Sequence, residues 1–215
     1  MLATKTQTAA LVNLFHQGTR LTYKKGEFII RPGETPPGIF YIEKGLVKAY
    51  DITKYGEENL LIVRKEREIF PLIWAITGQD RRVIYESLAP TEVWRLDRKI
   101  YINYIEKNSE VLAPLLDMTI EMYRLHSERI INLEYRTVRE RLISFLLSTS
   151  DRFGKEVAGG IEIQVPLKQQ DIASSINASR ETTSRELNLL HRKGYVDSGR
   201  ALIIIKDAKT LKSFL

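Results

Sequence analysis

The stretch that decides the fold comprises residues 167–190 and reads LKQQDIASSINASRETTSRELNLL. The pattern predicts two short helices joined by a tight turn, the first of them over Lys168–Ile176. Its predicted inner face consists of Ile172, Ala173 and Ile176. Asn177 falls at the turn, where a left-handed backbone is needed, and asparagine tolerates that backbone better than any residue except glycine. Ser179 is a favourable N-cap for the second helix.

The second helix has two chemically different sides. At about 100° per residue, one side carries Thr183, Leu187 and Leu190, and the opposite side carries Arg180, Glu181, Ser184 and Arg185. The polar side matches base edges, because arginine pairs with guanine O6 and N7 and glutamate accepts from the cytosine amino group. Its residues also lie in the N-terminal half of the helix, which is the half that enters a major groove. The alternative is a solvated helix face on which Glu181 pairs with Arg185.

A hairpin is predicted directly after the second helix. Lys193-Gly194 ends that helix, and two strand-like runs follow at Tyr195-Val196 and Leu202–Ile205. Ser198-Gly199 between them is typical of a hairpin turn. A helix-turn-helix followed by a hairpin is the order of elements in a winged helix, so the C-terminal part of the chain is predicted to read DNA.

The N-terminal half is predicted to be β-structure. Short apolar runs separated by glycine, proline and polar residues fill residues 20–98. They are Glu27–Ile30, Ile39–Ile42, Leu46–Tyr50, Asn59–Val63, Arg82–Leu88 and Glu92–Leu96. Short strands at this spacing indicate a sandwich or a barrel.

A long helix is predicted over Ser109–Leu133, which contains no glycine and a single proline, Pro114, in the first turns. Its seam of Leu112, Leu116, Thr119, Tyr123, His126, Ile130 and Leu133 alternates spacings of four and three residues, as in a coiled coil. This face either packs on its own domain or pairs with a second copy of the chain. A polar break over Glu134–Thr137 and an amphipathic helix over Arg139–Phe153 follow.

The charge balance favours a polyanionic partner. The 215 residues carry a formal net charge of +6, and the pI is about 9.4. Residues 138–215 hold thirteen Lys/Arg against nine Asp/Glu, so most of the excess lies in the C-terminal third. A basic region of this kind is an electrostatic feature of nucleic-acid-binding proteins.

The residue types exclude or disfavour several functions. The chain has no cysteine, which excludes disulfides, thiolate zinc sites and cysteine-ligated iron–sulfur clusters. His16, His126 and His191 show no metal-ligand spacing, and there is no nucleophile elbow or P-loop, so neither a metal site nor an enzyme is predicted. The sequence has no run of eighteen apolar residues, and its N-terminus indicates an amphipathic helix rather than a signal peptide. The expected location is the cytoplasm.

Three segments resemble the Crp–Fnr family, which contains the cyclic-AMP receptor protein and its relatives. Ser179–Arg185, SRETTSR, is close to the S-R-E-T-V-S-R recognition helix of that family. Tyr23–Glu34, YKKGEFIIRPGE, and Ile39–Lys48, IFYIEKGLVK, resemble the opening of its cyclic-nucleotide-binding β-roll. The resemblance covers nearly the whole chain and implies an α+β fold.

The resemblance implies three parts of the chain. An N-terminal β-roll sensor, a cyclic-nucleotide-binding-like jelly roll, is expected over residues 1–108. A long central dimerisation helix with its hinge is expected over residues 109–137, and a C-terminal winged helix-turn-helix over residues 138–215. A homodimer of such chains would bind a palindromic DNA site, and RNA polymerase is the implied protein partner of these bacterial regulators.

The resemblance also implies roles for single residues. Arg180, Glu181, Ser184 and Arg185 are implied to contact base edges, and Lys168, Gln170, Ser179 and Thr182 are implied to contact phosphates. The long seam from Leu112 to Leu133 is the implied dimer contact. Half-sites of the family resemble TGTGA or TTGAT, and the presence of Arg180 favours TGTGA for this chain.

The β-roll departs from the pattern of cyclic-nucleotide binders. Those proteins carry a Gly-Glu-Leu segment whose glutamate holds the ribose, followed by an Arg-Ser pair for the phosphate. Here Pro71 and Leu72 stand in place of the glycine and the glutamate, and Arg81-Arg82-Val83 lacks the serine. Leucine cannot hydrogen-bond a ribose and proline offers no N–H to a phosphate, so cyclic AMP is not expected to bind.

Leu72, Arg81 and Arg82 remain the candidate effector pocket. No cofactor is assigned from the sequence. Haem held by His16 or His126 stays open, and so does an unidentified effector or none at all. The alternative function is that of a cyclic-nucleotide-binding effector module that acts mainly through protein contacts.

Overall fold

The computed structural model describes residues 2–80, 82–198 and 202–215. The chain forms two compact units, one made of Met1–Ile52 and Leu61–Leu125 and the other of Thr53–Leu60 and His126–Leu215. The division falls within the long helix α4 (Leu112–Tyr135).

The first unit is built mainly of strands. Its helices are α1 (Lys5–His16), α2 (Leu72–Thr77), α3 (Arg98–Lys107) and the start of α4, which follows a 3-10 turn at Ser109–Val111. The strands are β1 (Thr19–Tyr23), β2 (Phe28–Ile30), β3 (Ile39–Lys44), β4 (Val47–Ile52), β5 (Glu58–Arg64), β6 (Ile69–Phe70), β7 (Ile84–Ser87) and β8 (Thr91–Leu96). They form two four-stranded sheets with the orders β1-β8-β3-β6 and β2-β7-β4-β5. The predicted β-roll of short strands is confirmed.

Strand β3 is covered on both faces, which explains its unbroken apolar sequence. Ile39 and Tyr41 belong to one buried cluster and Phe40 and Ile42 to another, as the alternation of side chains along a strand requires. The second cluster draws side chains from both sheets. The first joins β3 to α1, α3 and the start of α4, and it includes the fully buried Tyr101.

The predicted amphipathic helix at the N-terminus is confirmed as α1. Thr4 caps it by accepting a hydrogen bond from Gln7 N at 3.2 Å. Ahead of the helix, the backbone N–H groups of Leu2 and Ala3 both donate to the Asp117 carboxylate at 2.8 Å. These two hydrogen bonds lower the pKa of Asp117 and fasten the N-terminal segment to α4.

The central helix α4 presents exposed side chains along the predicted seam. Leu112, Leu116, Tyr123, Ile130 and Leu133 are all large exposed apolar residues, and Tyr123 among them is 71% exposed. Two further apolar residues beside the seam, Ile120 and Ile131, are 57% and 52% exposed. Large apolar side chains that share one exposed face favour contact with a partner.

The second unit contains the elements of a winged helix-turn-helix. They are α5 (Val138–Phe153), β9 (Gly154–Val157), β10 (Gly160–Ile163), α6 (Gln169–Ser175), α7 (Arg180–Arg192), β11 (Val196–Asp197), β12 (Ile204–Ile205) and α8 (Ala208–Lys212). The strands form one sheet with the order β11-β12-β10-β9. The predicted α+β class and the order of its elements are therefore confirmed.

Three hydrogen bonds hold Thr53–Leu60 within the second unit. Arg129 on α4 donates from Nη1 to the Leu60 carbonyl and from Nη2 to Asn59 Oδ1, both at 2.9 Å. The Leu60 N–H donates to Ser174 Oγ on α6 at 3.1 Å. Burial lowers the pKa of the Arg129 guanidinium, which remains charged at neutral pH. A short segment that includes the start of β5 is thereby attached to the first helix of the helix-turn-helix.

The structure adds elements that the sequence patterns did not predict, among them β1, β6, β9 and α3. Strand β9 lies at the edge of its sheet and is exposed along most of its length, so it carries no apolar alternation. Helix α3 begins at the N-cap Asp97, whose Oδ1 accepts from Lys99 N at 2.7 Å. Its isoleucine-rich and tyrosine-rich sequence is typical of a strand, which explains why it was not predicted.

Only Arg136 and Thr137 separate α4 from α5, because α4 continues to Tyr135. The polar break is therefore shorter than the predicted Glu134–Thr137. Helix α5 then begins at a capping box formed by Thr137 and Glu140. The Thr137 N–H donates to Glu140 Oε2 at 2.7 Å, and Thr137 Oγ1 accepts from Glu140 N at 3.4 Å. The backbone N–H and then the hydroxyl of Thr137 lower the pKa of the Glu140 carboxyl.

Thr137→Ala is expected to lower the free energy of unfolding by about 1 kcal/mol, because it removes the hydroxyl that caps α5. The pKa of Glu140 should rise part of the way to its ordinary value. A depressed folded-state pKa gives stability that is present at neutral pH and is lost as the pH falls through that pKa. Thermal unfolding at neutral and acid pH should therefore show that the free energies of unfolding of wild type and variant differ less in acid than at neutral pH. Thr137→Ser is the control, and a difference independent of pH would contradict this account.

Candidate nucleic-acid interface

The first helix of the helix-turn-helix, α6, is anchored from its first turn. Asp171 is 7% exposed, and its Oδ2 accepts a hydrogen bond from Lys168 N at 2.7 Å. Ile172 and Ala173 on the predicted inner face are buried. Asn177 follows with a φ of 49°, which is the left-handed conformation expected at this turn. The backbone at Asn177 therefore redirects the chain from α6 into α7.

The second helix, α7, is capped and oriented by its neighbours. Ser179 is the N-cap, and its hydroxyl accepts from Thr182 N at 3.1 Å. The buried residues of α7 are Thr183, Leu187 and Leu190. Because these three residues fix the rotation of the helix about its axis, the polar side faces away from the core.

The polar side of α7 lines one open groove with a volume of about 1070 Å³. The lining residues are Gln169, Ser179, Arg180, Glu181, Ser184, Arg185, Asn188, His191 and Arg192. All four predicted base-contacting residues are among them. The side chains of Arg180 and Glu181 form no hydrogen bond or ion pair within residues 2–80, 82–198 and 202–215, so their polar groups are available to a ligand.

The alternative pairing of Glu181 with Arg185 does not occur among the described residues. Arg185 instead places Nε 4.0 Å from Glu186 Oε1, and its side chain is 71% exposed. Glu186 is held by Arg139 of α5, whose Nε donates to Glu186 Oε2 at 2.7 Å. Since Arg139 neutralises Glu186, the guanidinium of Arg185 keeps its exposed donors.

Of the four residues predicted to contact phosphates, one lines the groove. Ser179 lines it, whereas Lys168, Gln170 and Thr182 are not among its lining residues. Gln170 is an exposed residue of α6, and Lys168 is the N-cap of that helix. Four further residues line the groove without having been predicted from the sequence: Gln169, Asn188, His191 and Arg192. The last three could have been found by continuing the helical spacing from Glu181 to the end of α7.

The wing begins close to the end of α7. Strands β11 and β12 pair antiparallel, with Val196 opposite Ile205. The Ser198 N–H donates to Nδ1 of His191 on α7 at 3.3 Å. The predicted turn at Ser198-Gly199 extends beyond the described residues at Gly199. The first strand of the wing is thus tied to the C-terminal turn of α7.

The candidate effector residues have different environments. Leu72 is partly buried against the cluster that contains Tyr101, and Arg82 is exposed. Arg81 lies outside the described residues. His16 places Nε2 3.2 Å from Glu43 Oε2, and its ring centroid lies 4.8 Å from that of a tryptophan, Trp94. These contacts engage the His16 ring with a carboxylate and an aromatic ring within the first unit.

Within the described part of the chain there is no group of three or more His, Cys, Asp or Glu side chains that could hold a metal ion. None of its helices is both long enough and apolar enough to cross a membrane.

Comparison with protein families identifies both halves of the chain. The sequence model of the cyclic nucleotide-binding domain matches residues 20–108. That of the Crp-like helix-turn-helix domain matches residues 140–214, which contain the groove. The chain belongs to the Crp–Fnr family of DNA-binding transcription regulators. The predicted family membership is thus confirmed.

Relatives of this Crp–Fnr family member align over almost its full length. It is 29% identical to the Global nitrogen regulator of Nostoc sp. strain PCC 7120, over 96% of each chain. It is 23% identical to the CRP-like cAMP-activated global transcriptional regulator of Mycobacterium tuberculosis strain H37Rv, over 95% of this chain and 92% of the relative. Like these relatives it is a transcription regulator and not an enzyme, as its sequence predicted.

Solved structures share the fold. FixK2 from Bradyrhizobium japonicum superposes with a TM-score of 0.78 at 25% identity, covering 91% of this chain and 96% of that chain. The Crp–Fnr family regulator TTHA1359 from Thermus thermophilus gives a TM-score of 0.71 at 22% identity, covering 91% and 97%. The succession of β-roll, long helix and winged helix is therefore that of known family members.

Proposed function

We propose that this regulator binds a palindromic DNA site as a homodimer, and that its N-terminal domain does not bind cyclic AMP. The proposal that the protein binds DNA rests on the groove on α7. Arg180 and Glu181 line this groove, and their polar groups have no partners among the described residues. The proposed location, the cytoplasm, follows from the DNA partner, and RNA polymerase is the proposed protein partner.

The proposed half-site follows from the chemistry of the groove. Arg180 and Arg185 can each donate two hydrogen bonds to guanine O6 and N7, and Glu181 can accept from a cytosine amino group. Two guanine readers and one cytosine reader suit TGTGA, whose complementary strand supplies the cytosines. A TTGAT half-site offers fewer such pairs, so the TGTGA type is favoured.

The proposed homodimer rests on α4. Its exposed apolar seam, which includes Tyr123 and Ile130, has the spacing of a coiled-coil contact. Pairing of two such helices joins two copies of α7 in one particle. A palindrome with half-sites about 34 Å apart, one turn of DNA, would match a two-fold symmetric dimer of this kind.

The proposed loss of cyclic-AMP binding rests on two residues of the β-roll. Leu72 is partly buried against apolar neighbours and has no polar atom on its side chain to hold a ribose. Pro71 has no backbone N–H to offer to a phosphate. No cofactor is proposed, and an effector of other chemistry, if one exists, would use different contacts.

Fluorescence anisotropy of a labelled TGTGA-type palindrome, titrated with the protein at fixed salt, tests this proposal. Specific binding that is indifferent to cyclic AMP is the expected result. Tightening by about tenfold or more with cyclic AMP, about 1.4 kcal/mol, would overturn the interpretation of Pro71 and Leu72. Equal binding of palindromic and scrambled DNA would overturn the proposed site.

A further inference from the structure

We propose that Asn188 reads a base at the flank of each half-site and that Arg192 contacts the adjoining phosphate backbone. The DNA-facing surface of α7 then spans the whole helix rather than its N-terminal half. This inference rests on the proposed function, since it assumes that the groove on α7 receives DNA.

The helix geometry places these two residues in line with the predicted base contacts. At about 100° per residue, Asn188 and Arg192 each lie within roughly 20° of Glu181 around the axis of α7. The buried Leu187 and Leu190 hold the opposite side of the helix in the core. Asn188 and Arg192 therefore continue the strip that begins at Glu181, and both line the same groove.

The side chains of Asn188 and Arg192 are exposed, and their polar groups form no hydrogen bond or ion pair with the residues that the structure describes. Their neighbour His191 differs, because its ring accepts from Ser198 N at 3.3 Å and lies 3.8 Å from Asp197 Oδ1. Asn188 and Arg192 thus keep their polar groups for a ligand, whereas His191 is engaged in the fold.

The chemistry of the two side chains assigns them different targets. The asparagine amide carries a donor and an acceptor side by side, which matches adenine N7 and N6 in the major groove. With a rise of about 1.5 Å per residue, Asn188 lies roughly 10 Å along the axis from Glu181 and Arg192 roughly 16 Å. The major groove is about 12 Å wide, so Asn188 can still reach a base whereas Arg192 meets the phosphates.

Three single variants test the inference: Asn188→Ala, Arg192→Ala and the control Lys193→Ala. Lys193 is exposed, adjacent in sequence and equal in charge to Arg192, but it does not line the groove. Anisotropy titrations at several salt concentrations would use the palindrome and all its single-base variants. Circular dichroism would confirm that each variant keeps its helical content and melting temperature.

Asn188→Ala is expected to reduce the preference for adenine at one position of each half-site by about five- to a hundredfold, leaving the other positions unchanged. Arg192→Ala should weaken all sequences equally and lower the slope of log K against log salt by about one per half-site. Lys193→Ala should leave the base preference and the slope at their wild-type values.

Three results would overturn the inference. One is an Asn188→Ala protein with wild-type preference at every position. The others are an Arg192→Ala protein with an unchanged salt slope, or with a slope lowered no more than that of Lys193→Ala. If the wild-type protein discriminates the palindrome while any of these holds, the inference fails and the proposed function stands. A wild-type protein without any base preference would overturn both.

Discussion

Alanine at Arg180 or at Arg185 is expected to weaken binding by about five- to 150-fold for each half-site, which corresponds to about 1–3 kcal/mol per contact. Each guanidinium lies in the groove with exposed donors, and alanine would leave a guanine O6 and N7 without their partner. The loss should be concentrated at one base position for each residue. A protein that binds as a dimer would suffer it in both half-sites.

The control for these variants is Lys212→Ala, which removes the same charge from an exposed residue of α8 outside the groove. It should lower affinity for all sequences slightly and equally, through the electrostatic part of binding alone. Competition titrations with single-base variants of the palindrome separate the two effects. Base preference that survives both Arg180→Ala and Arg185→Ala would show that another surface reads the DNA.

Ile120→Glu is expected to convert the proposed dimer to a monomer and to weaken binding of the palindrome by on the order of a hundredfold. Ile120 is 57% exposed, so a charge there should be tolerated within one chain but not between two apolar helix faces. The two half-sites would then be bound independently, and the advantage of linking two binding modules would be lost.

Ile100→Glu on α3 is the matched control, because Ile100 is 52% exposed but does not lie on α4. Analytical ultracentrifugation gives the mass of each variant, and anisotropy gives its DNA affinity. We expect Ile100→Glu to remain a dimer with wild-type affinity. A dimeric Ile120→Glu protein would place the subunit contact elsewhere on the chain.

The helix-turn-helix was predictable because local physical chemistry alone specifies it. Asn177 supplies the left-handed turn, Ser179 the cap, and the spacing of Leu187 and Leu190 the buried side. Each of these signals lies within a few residues of the element that it determines. The strand β3 was equally predictable, because burial on both faces leaves a continuous apolar run.

Other features depend on contacts between residues that are distant in sequence. The edge strand β9 gains its structure from pairing with β10 rather than from its own residues. Ile120 was left out of the predicted seam, because a strict alternation of four and three residues selected Thr119 instead. The surroundings of Leu72 depend on how α2 packs in the β-roll, which no local pattern encodes.

The second unit consists of two separate stretches of the chain, because the eight residues Thr53–Leu60 belong to it together with His126–Leu215. No continuous fragment of the chain therefore contains this unit alone. A fragment beginning at His126 would carry every residue of the groove, yet it would lack the Leu60 carbonyl and the Asn59 side-chain oxygen that bind Arg129. The Ser174 hydroxyl on α6 would also lose the N–H from which it accepts. A minimal DNA-binding fragment should therefore be less stable than the same region in the intact chain. A peptide of residues 53–60 added in trans would be the direct way to restore it.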